Sequence, residues 1–146
     1  MAERYQKLLK KNLANLKITN QTDLDLGISD EILFRALALT LEIAKKLDAG
    51  QVELNFVNDD TMAELNKKHR NKDGPTDVLS FVYKDESPEG KVLGEIFIAP
   101  KYALEKKENL LHLFVHGLLH LYDFEHETDE RGEEMQEIED KILASL

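Results

Sequence analysis

The sequence predicts an α+β domain in which helices pack around a four-stranded sheet. Segments with apolar residues at helical spacing are interleaved with short segments of apolar and polar alternation, and two of the latter follow one another directly. A third observation places a metal on the central, buried helix: three of the five histidines fall within the eleven residues His116–His126, at the end of an apolar stretch. At 146 residues the chain reads as one domain, 1–146, long enough to bury a substantial core.

Taken in order, Tyr5, Leu8, Leu9, Leu13 and Leu16 approximate one helical face with lysines between them, so residues 1–15 are expected to form an N-terminal helical extension. Leu16–Thr19 is a short strand candidate. Ser29 is a good N-cap, and Asp30 and Glu31 suit the positive end of a helix dipole. The apolar-rich segment Ile32–Leu47 then makes a buried helix that ends near Gly50. Val52, Leu54 and Phe56 alternate with Glu53 and Asn55, as in a half-buried strand. Asp59 or Asp60 caps a helix running to about His69.

Residues Asn71–Asp77 contain a Gly-Pro pair and read as a loop leading to the strand Val78–Tyr83. A second loop, Lys84–Lys91, turns the chain into the strand Leu93–Ala99, and these two strands are expected to pair antiparallel. Pro100 suits the first position of a long helix carrying His112, His116 and His120, because that position needs no backbone N–H partner. That helix is apolar nearly all round and should be buried. Met135, Ile138, Ile142 and Leu146 mark an amphipathic closing helix. The pattern leaves strand order and oligomeric state open.

Residues four apart on a helix lie on one face, so His116 and His120 can direct their imidazoles at one point. His112 cannot complete a set with both, because it lies about 12 Å from His120 along the axis, whereas zinc holds nitrogen at about 2.0–2.1 Å. The third ligand must come from beyond the helix, and His126 supplies it if the chain turns back after Tyr122. A single histidine at helical spacing is more often a core residue than a ligand. Three of them, with the second four and the third ten positions after the first, match the ligand spacing of the metzincin zinc proteases. Three imidazoles and an open position describe a catalytic zinc site, one ion per chain, although another divalent metal would also suit nitrogen ligands. The residue after the first histidine is Gly117, where those proteases carry their glutamate base.

Composition narrows the classes. The chain has no cysteine, which excludes disulfides, thiolate metal sites and thiol nucleophiles and fits a reducing, cytoplasmic setting. No run approaches the roughly 18 apolar residues of a membrane span, and Met1–Lys11 lacks an apolar signal core, so no membrane partner is expected. The net charge of −10 sits awkwardly with nucleic-acid binding. Much of it is local, since Glu127–Leu146 holds eight acidic and two basic residues. Basic residues cluster at Lys67, Lys68, Arg70 and Lys72 and again at Lys101, Lys106 and Lys107, a weak sign of an RNA-binding surface because charge runs are usually solvated faces. No P-loop, dinucleotide fingerprint or nucleophile elbow is present.

The run from His116 to His126 resembles the signature H-G-x-L-H-L-x-G-Y-D-H of the YbeY family of endoribonucleases, the ribosomal RNA maturation factors, with Asp123, Phe124 and Glu125 standing for the family's Gly, Tyr and Asp. Asn66–Arg70 followed by Asp73–Phe81 is similar to the family's arginine-containing helix end and its P-T-D-V-L-S-F strand, and Leu93–Ile98 to its L-G-D-I-x-I strand. The resemblance implies a mixed four-stranded sheet with helices around it. It also implies a metal-dependent, single-strand-specific endoribonuclease acting in ribosomal RNA maturation, at the 3′ end of the small-subunit RNA, and in ribosome quality control. Its partners would be precursor ribosomal RNA and the ribosome or ribosomal proteins.

In that reading His116, His120 and His126 bind zinc, which makes a bound water more acidic and polarises a phosphoryl oxygen. Arg70 matches the family's functional arginine and would stabilise charge on phosphoryl oxygens through its planar fork of donors. On spacing alone Arg70 would cap its helix or pair with Asp73. His112 is expected either behind the metal ligands, supporting them, or packed in the core, with the core favoured; Asp123 and Glu125 are expected as partners of imidazole N–H groups, and Asp77 and Ser80 as fixing the loop and strand. Two alternatives remain: a zinc metallopeptidase-like hydrolase, against which Gly117 argues, and a noncatalytic ribosome-assembly factor with a structural metal, mildly favoured by the acidic surface.

Overall fold

In the computed structural model, residues 2–46, 49–83, 92–122 and 128–146 are described. The expected loop Lys84–Lys91 and the residues Asp123, Phe124, Glu125 and His126 lie outside them. The fold is α+β, and the described residues form a mixed four-stranded sheet and six helices. Strands β1 (Leu16–Asn20), β2 (Gln51–Phe56), β3 (Val78–Val82) and β4 (Val92–Ile98) stand in the order β1-β2-β4-β3. The first three in that order run parallel, and β3 pairs antiparallel with β4 from Val78 opposite Ile98 to Val82 opposite Gly94, as expected of two consecutive strands. Parallel neighbours need a crossover. Helix α2 (Asp30–Ile43) lies in the one from β1 to β2, and α3 (Asp59–Arg70) with β3 in the one from β2 to β4.

The alternation that marks the strands divides the core by sheet face. Val52, Leu54 and Phe56 of β2 join Ile96 and Ile98 of β4 in the larger cluster, shared with Leu33, Leu37 and Leu41 of α2 and with helix α5 (Leu110–Leu121). Leu79 and Phe81 of β3 and Phe97 of β4 point the other way, toward Met62 and Leu65 of α3. One sheet therefore buries apolar residues on both faces, with α5 against one and α3 against the other.

Helix α1 (Ala2–Asn12) packs on α2 with Leu8 buried. It stops before Leu13, which is 52% exposed rather than on the packed face. The buried Asn12 amide ends it, donating to the Leu8 carbonyl and accepting from the Ala49 N–H at 2.9 Å each.

Two helix boundaries differ from expectation for one physical reason. Helix α2 has its N-cap at Ser29, whose hydroxyl accepts from the Ile32 N–H, but it ends at Ile43 instead of Leu47. Lys45 takes a left-handed conformation (φ 57°), and the N–H groups of Lys45 and Lys46 return to the carbonyls of Glu42 and Leu41. The long helix expected from Pro100 is two helices, α4 (Pro100–Glu105) and α5. Lys107 is left-handed (φ 61°), with the N–H groups of Lys107 and Glu108 on the carbonyls of Leu104 and Ala103. Both are Schellman closures, which glycine usually signals. Here a lysine occupies the left-handed position, at a cost of about 1–2 kcal/mol that the recovered carbonyl bonds offset, so no glycine marked the stop. Helix α3 begins after Asn58, not with Asp59 or Asp60 as its cap, and no side-chain cap bond is made there.

Candidate active site

Asn109 restarts the chain after the Lys107 turn, its side chain accepting from the His112 N–H at 3.1 Å. From that cap, Leu110, Phe114, Val115, Leu118 and Leu121 are buried. The remaining stripe, His112, His116 and His120, lines a groove of 1090 Å³ that Arg70, Asp77 and Ser80 also line.

Two glycines let α5 lie this close to the sheet. A Cβ on Gly117 would stand 3.0 Å from both Ile96 Cγ2 and Ser80 Oγ, and one on Gly94 of β4 would meet a methyl of Leu121 and the Phe81 carbonyl. The position after His116 therefore faces packed sheet and leaves no room for the glutamate base of a zinc protease.

The Nε2 atoms of His116 and His120 are 3.1 Å apart, with the rings nearly perpendicular at 81°. Two nitrogens each about 2.0–2.1 Å from a tetrahedral zinc would be separated by about 3.3–3.4 Å. The pair thus fits a shared divalent ion almost without movement. Among the described residues no group of three or more His, Cys, Asp or Glu is arranged to hold a metal, and His126 lies outside them.

The expected place of His112 in the core is corrected. Its side chain is 40% exposed, and its Nε2 lies 2.8 Å from Oε2 of Glu139 on α6 (Asp129–Ala144). The other oxygen of Glu139 is 2.5 Å from His116 Nδ1. Burial raises the Glu139 pKa, but the hydrogen bonds to His116 and His112 outweigh it and hold the carboxyl below its ordinary value. Sequence reading missed Glu139, although a signal existed: it lies on the inward stripe of Met135, Ile138 and Ile142, where a carboxylate is costly unless partnered.

Arg70 ends α3, exposed, at the wall of the groove. Other groups perform the two structural tasks open to it. The N–H groups of Asn71 and Lys72 satisfy the carbonyls of Lys67 and Asn66, and Asp73 pairs with Lys67 at 3.3 Å.

Asp77 does fix the loop, accepting from its neighbour's backbone at Val78 (2.7 Å) and from the Thr76 hydroxyl (3.3 Å). It also faces Glu108 in the same groove. The hydrogen bond to Asp77, with burial and repulsion from the same carboxylate, pushes Glu108 up to about 7. Burial of Asp77 acts to raise its pKa, but bonds from Glu108, Val78 and Thr76 bring it below the ordinary value, so of the two carboxyls Glu108 keeps a proton to the higher pH.

Comparison with known proteins adds a family to this geometry. The family model described as Endoribonuclease YbeY matches residues 17–146. An Endoribonuclease YbeY of Francisella tularensis subsp. novicida is 35% identical over 133 residues, covering 81% of this chain and 80% of the relative. Another, of Francisella tularensis subsp. tularensis, is 34% identical over 155 aligned residues, covering 94% and 89%. A solution structure of a Thermotoga maritima protein is similar with a TM-score of 0.54 at 25% identity, covering 89% of this chain and 90% of that one.

Proposed function

Because the chain belongs to the Endoribonuclease YbeY family, we propose that it is a metal-dependent, single-strand-specific endoribonuclease of ribosomal RNA maturation, acting at the 3′ end of the small-subunit RNA and in ribosome quality control. The observation that carries the reading is the convergence of His116 and His120 Nε2 at 3.1 Å in a groove that Arg70 also lines. We take residues 1–146 as one domain, with 1–15 as an N-terminal extension, and the metal ligands as His116, His120 and His126, one zinc per chain. A divalent ion held there supplies Lewis acidity toward a phosphoryl oxygen.

The chain's own residues do the rest. His116 and His120 project from a helix locked to the sheet at Gly117, so their spacing is set before any ligand arrives. Arg70 reaches the same groove from α3 and offers its guanidinium to the non-bridging oxygens, where charge gathers in the transition state. The groove is open, as an extended single strand requires. Precursor ribosomal RNA is the substrate and the ribosome or its proteins the partners, in the cytoplasm. Among the described residues no helix is long and apolar enough to cross a membrane.

The test is cleavage of single-stranded, duplex and peptide substrates by purified protein, with and without a chelator and after adding back zinc. Chelator-sensitive cutting of single-stranded RNA alone is expected. Zinc-dependent peptide hydrolysis, or binding of ribosomal RNA without any cleavage, would overturn the proposal.

A further inference from the structure

We infer that Glu139 is the positioning residue of the metal-binding face: it holds His116 in the tautomer that leaves Nε2 as a lone pair, and His112 holds Glu139. The inference rests on reading His116 and His120 as metal ligands and deepens it by assigning the residues behind them.

A neutral imidazole has one N–H and one lone pair, and a carboxylate only accepts. Glu139 Oε1, 2.5 Å from His116 Nδ1, therefore places the proton on Nδ1. That leaves Nε2, the atom 3.1 Å from His120 Nε2, with its lone pair toward the ligand point. One contact would still let the carboxylate pivot. The second, from His112 Nε2 to Oε2 at 2.8 Å, occupies the remaining oxygen and fixes the carboxylate plane.

The placement has a cost that structure alone does not require. The Glu139 side chain is 4% exposed, on a helix face whose other buried members are Met135 and Ile142. A well-packed apolar side chain at such a site often stabilises a protein as much as a buried charge does, or more. What an apolar residue cannot do is hold two imidazoles at set angles. His112 also gains a role distinct from both ligand and core, since it sits on the ligand stripe but directs its nitrogen away from His120, toward α6.

The experiment measures zinc affinity of the full chain by competition with a chromophoric chelator. It compares wild type with Glu139→Gln, Glu139→Ala, His112→Ala and, as control, His120→Ala. Each metal-free protein is also unfolded thermally, and the cobalt(II) visible spectrum of each loaded protein is recorded. Loss of a residue that orients a metal-bound histidine typically weakens binding by about 10–100-fold. Glu139→Ala is expected within that range. Glu139→Gln keeps an oxygen for His116 but offers an amide N–H where His112 needs an acceptor, so it should lose about tenfold, at the low end of that range, and shift the cobalt bands while retaining one ion per chain. His112→Ala should weaken binding less than Glu139→Ala.

If Glu139 only ties α6 to α5, both Glu139 variants will melt earlier in the metal-free state yet bind zinc as wild type does. That result overturns the inference, and Glu139→Gln decides it alone should Glu139→Ala not fold. If His120→Ala itself retains zinc, the metal reading fails instead, a separate and recognisable outcome.

Discussion

At Gly117, which is buried on α5, helix propensity and packing pull in opposite directions. Alanine in a helix interior is favoured over glycine by about 0.8–1.0 kcal/mol, so on propensity alone Gly117→Ala should stabilise. The added Cβ, however, would stand 3.0 Å from Ile96 Cγ2, 3.0 Å from Ser80 Oγ and 3.1 Å from Ile96 Cδ1. Ser80 can rotate its hydroxyl aside. Ile96 is fully buried between β2 and β3 and, being β-branched, has few rotamers to retreat into. Helix α5 must then lift by a few tenths of an ångström, an overpacking that costs about 1–3 kcal/mol. The net expectation is a loss of about 0–2 kcal/mol, with His116 displaced as the helix shifts. Equilibrium urea unfolding of the metal-free protein reads the first effect and zinc affinity the second. Stabilisation by about 1 kcal/mol, the full propensity gain, with zinc binding unchanged, would refute the claim that close packing demands glycine here.

Replacing each of the five histidines by alanine should abolish the bound metal at His116, His120 and His126 only; metal analysis showing loss at His69, or retention at His126, would redraw the ligand set. Arg70→Ala should keep metal and cooperative unfolding but lose RNA cleavage by about 10² or more in single-turnover assays. Arg70→Lys should recover only part of the rate, because lysine keeps the charge without the bidentate fork. Normal cleavage by folded, metal-loaded Arg70→Ala would remove Arg70 from the site. The Glu108 carboxyl, followed by carbon NMR, should titrate near 7 rather than at its ordinary 4.5. Because the raised value belongs to the folded state, its contribution to stability is complete below about 4.5 and fades as pH climbs toward 7. In Asp77→Asn the midpoint should fall back toward 4.5; a midpoint unmoved by that change would disprove the proton-sharing pair.

Local pattern sufficed for the strands and for the convergence of the His116 and His120 rings, because each depends on periodicities of two or 3.6 residues along one segment, and for the antiparallel pairing of β3 with β4, because the two follow one another directly. The Ser29 cap was legible for the same reason, a side chain answering a backbone group three residues on. The Gly117 position was readable as the absence of a base; its cause, the contact with Ile96 and Ser80, comes from two other strands. Tertiary structure alone decided the strand order, the closures at Lys45 and Lys107, and Glu139. The two lysines turn left-handed where α2 and α4 close, and lysine carries no conformational mark of such a turn. Glu139 lies 23 residues after His116 and 27 after His112 in sequence, so its pairing with both exists only once α6 folds back on α5. A carboxylate on an apolar stripe hints that a partner is needed, but which groups complete it is a fact of packing between helices, and no periodicity along one segment contains it.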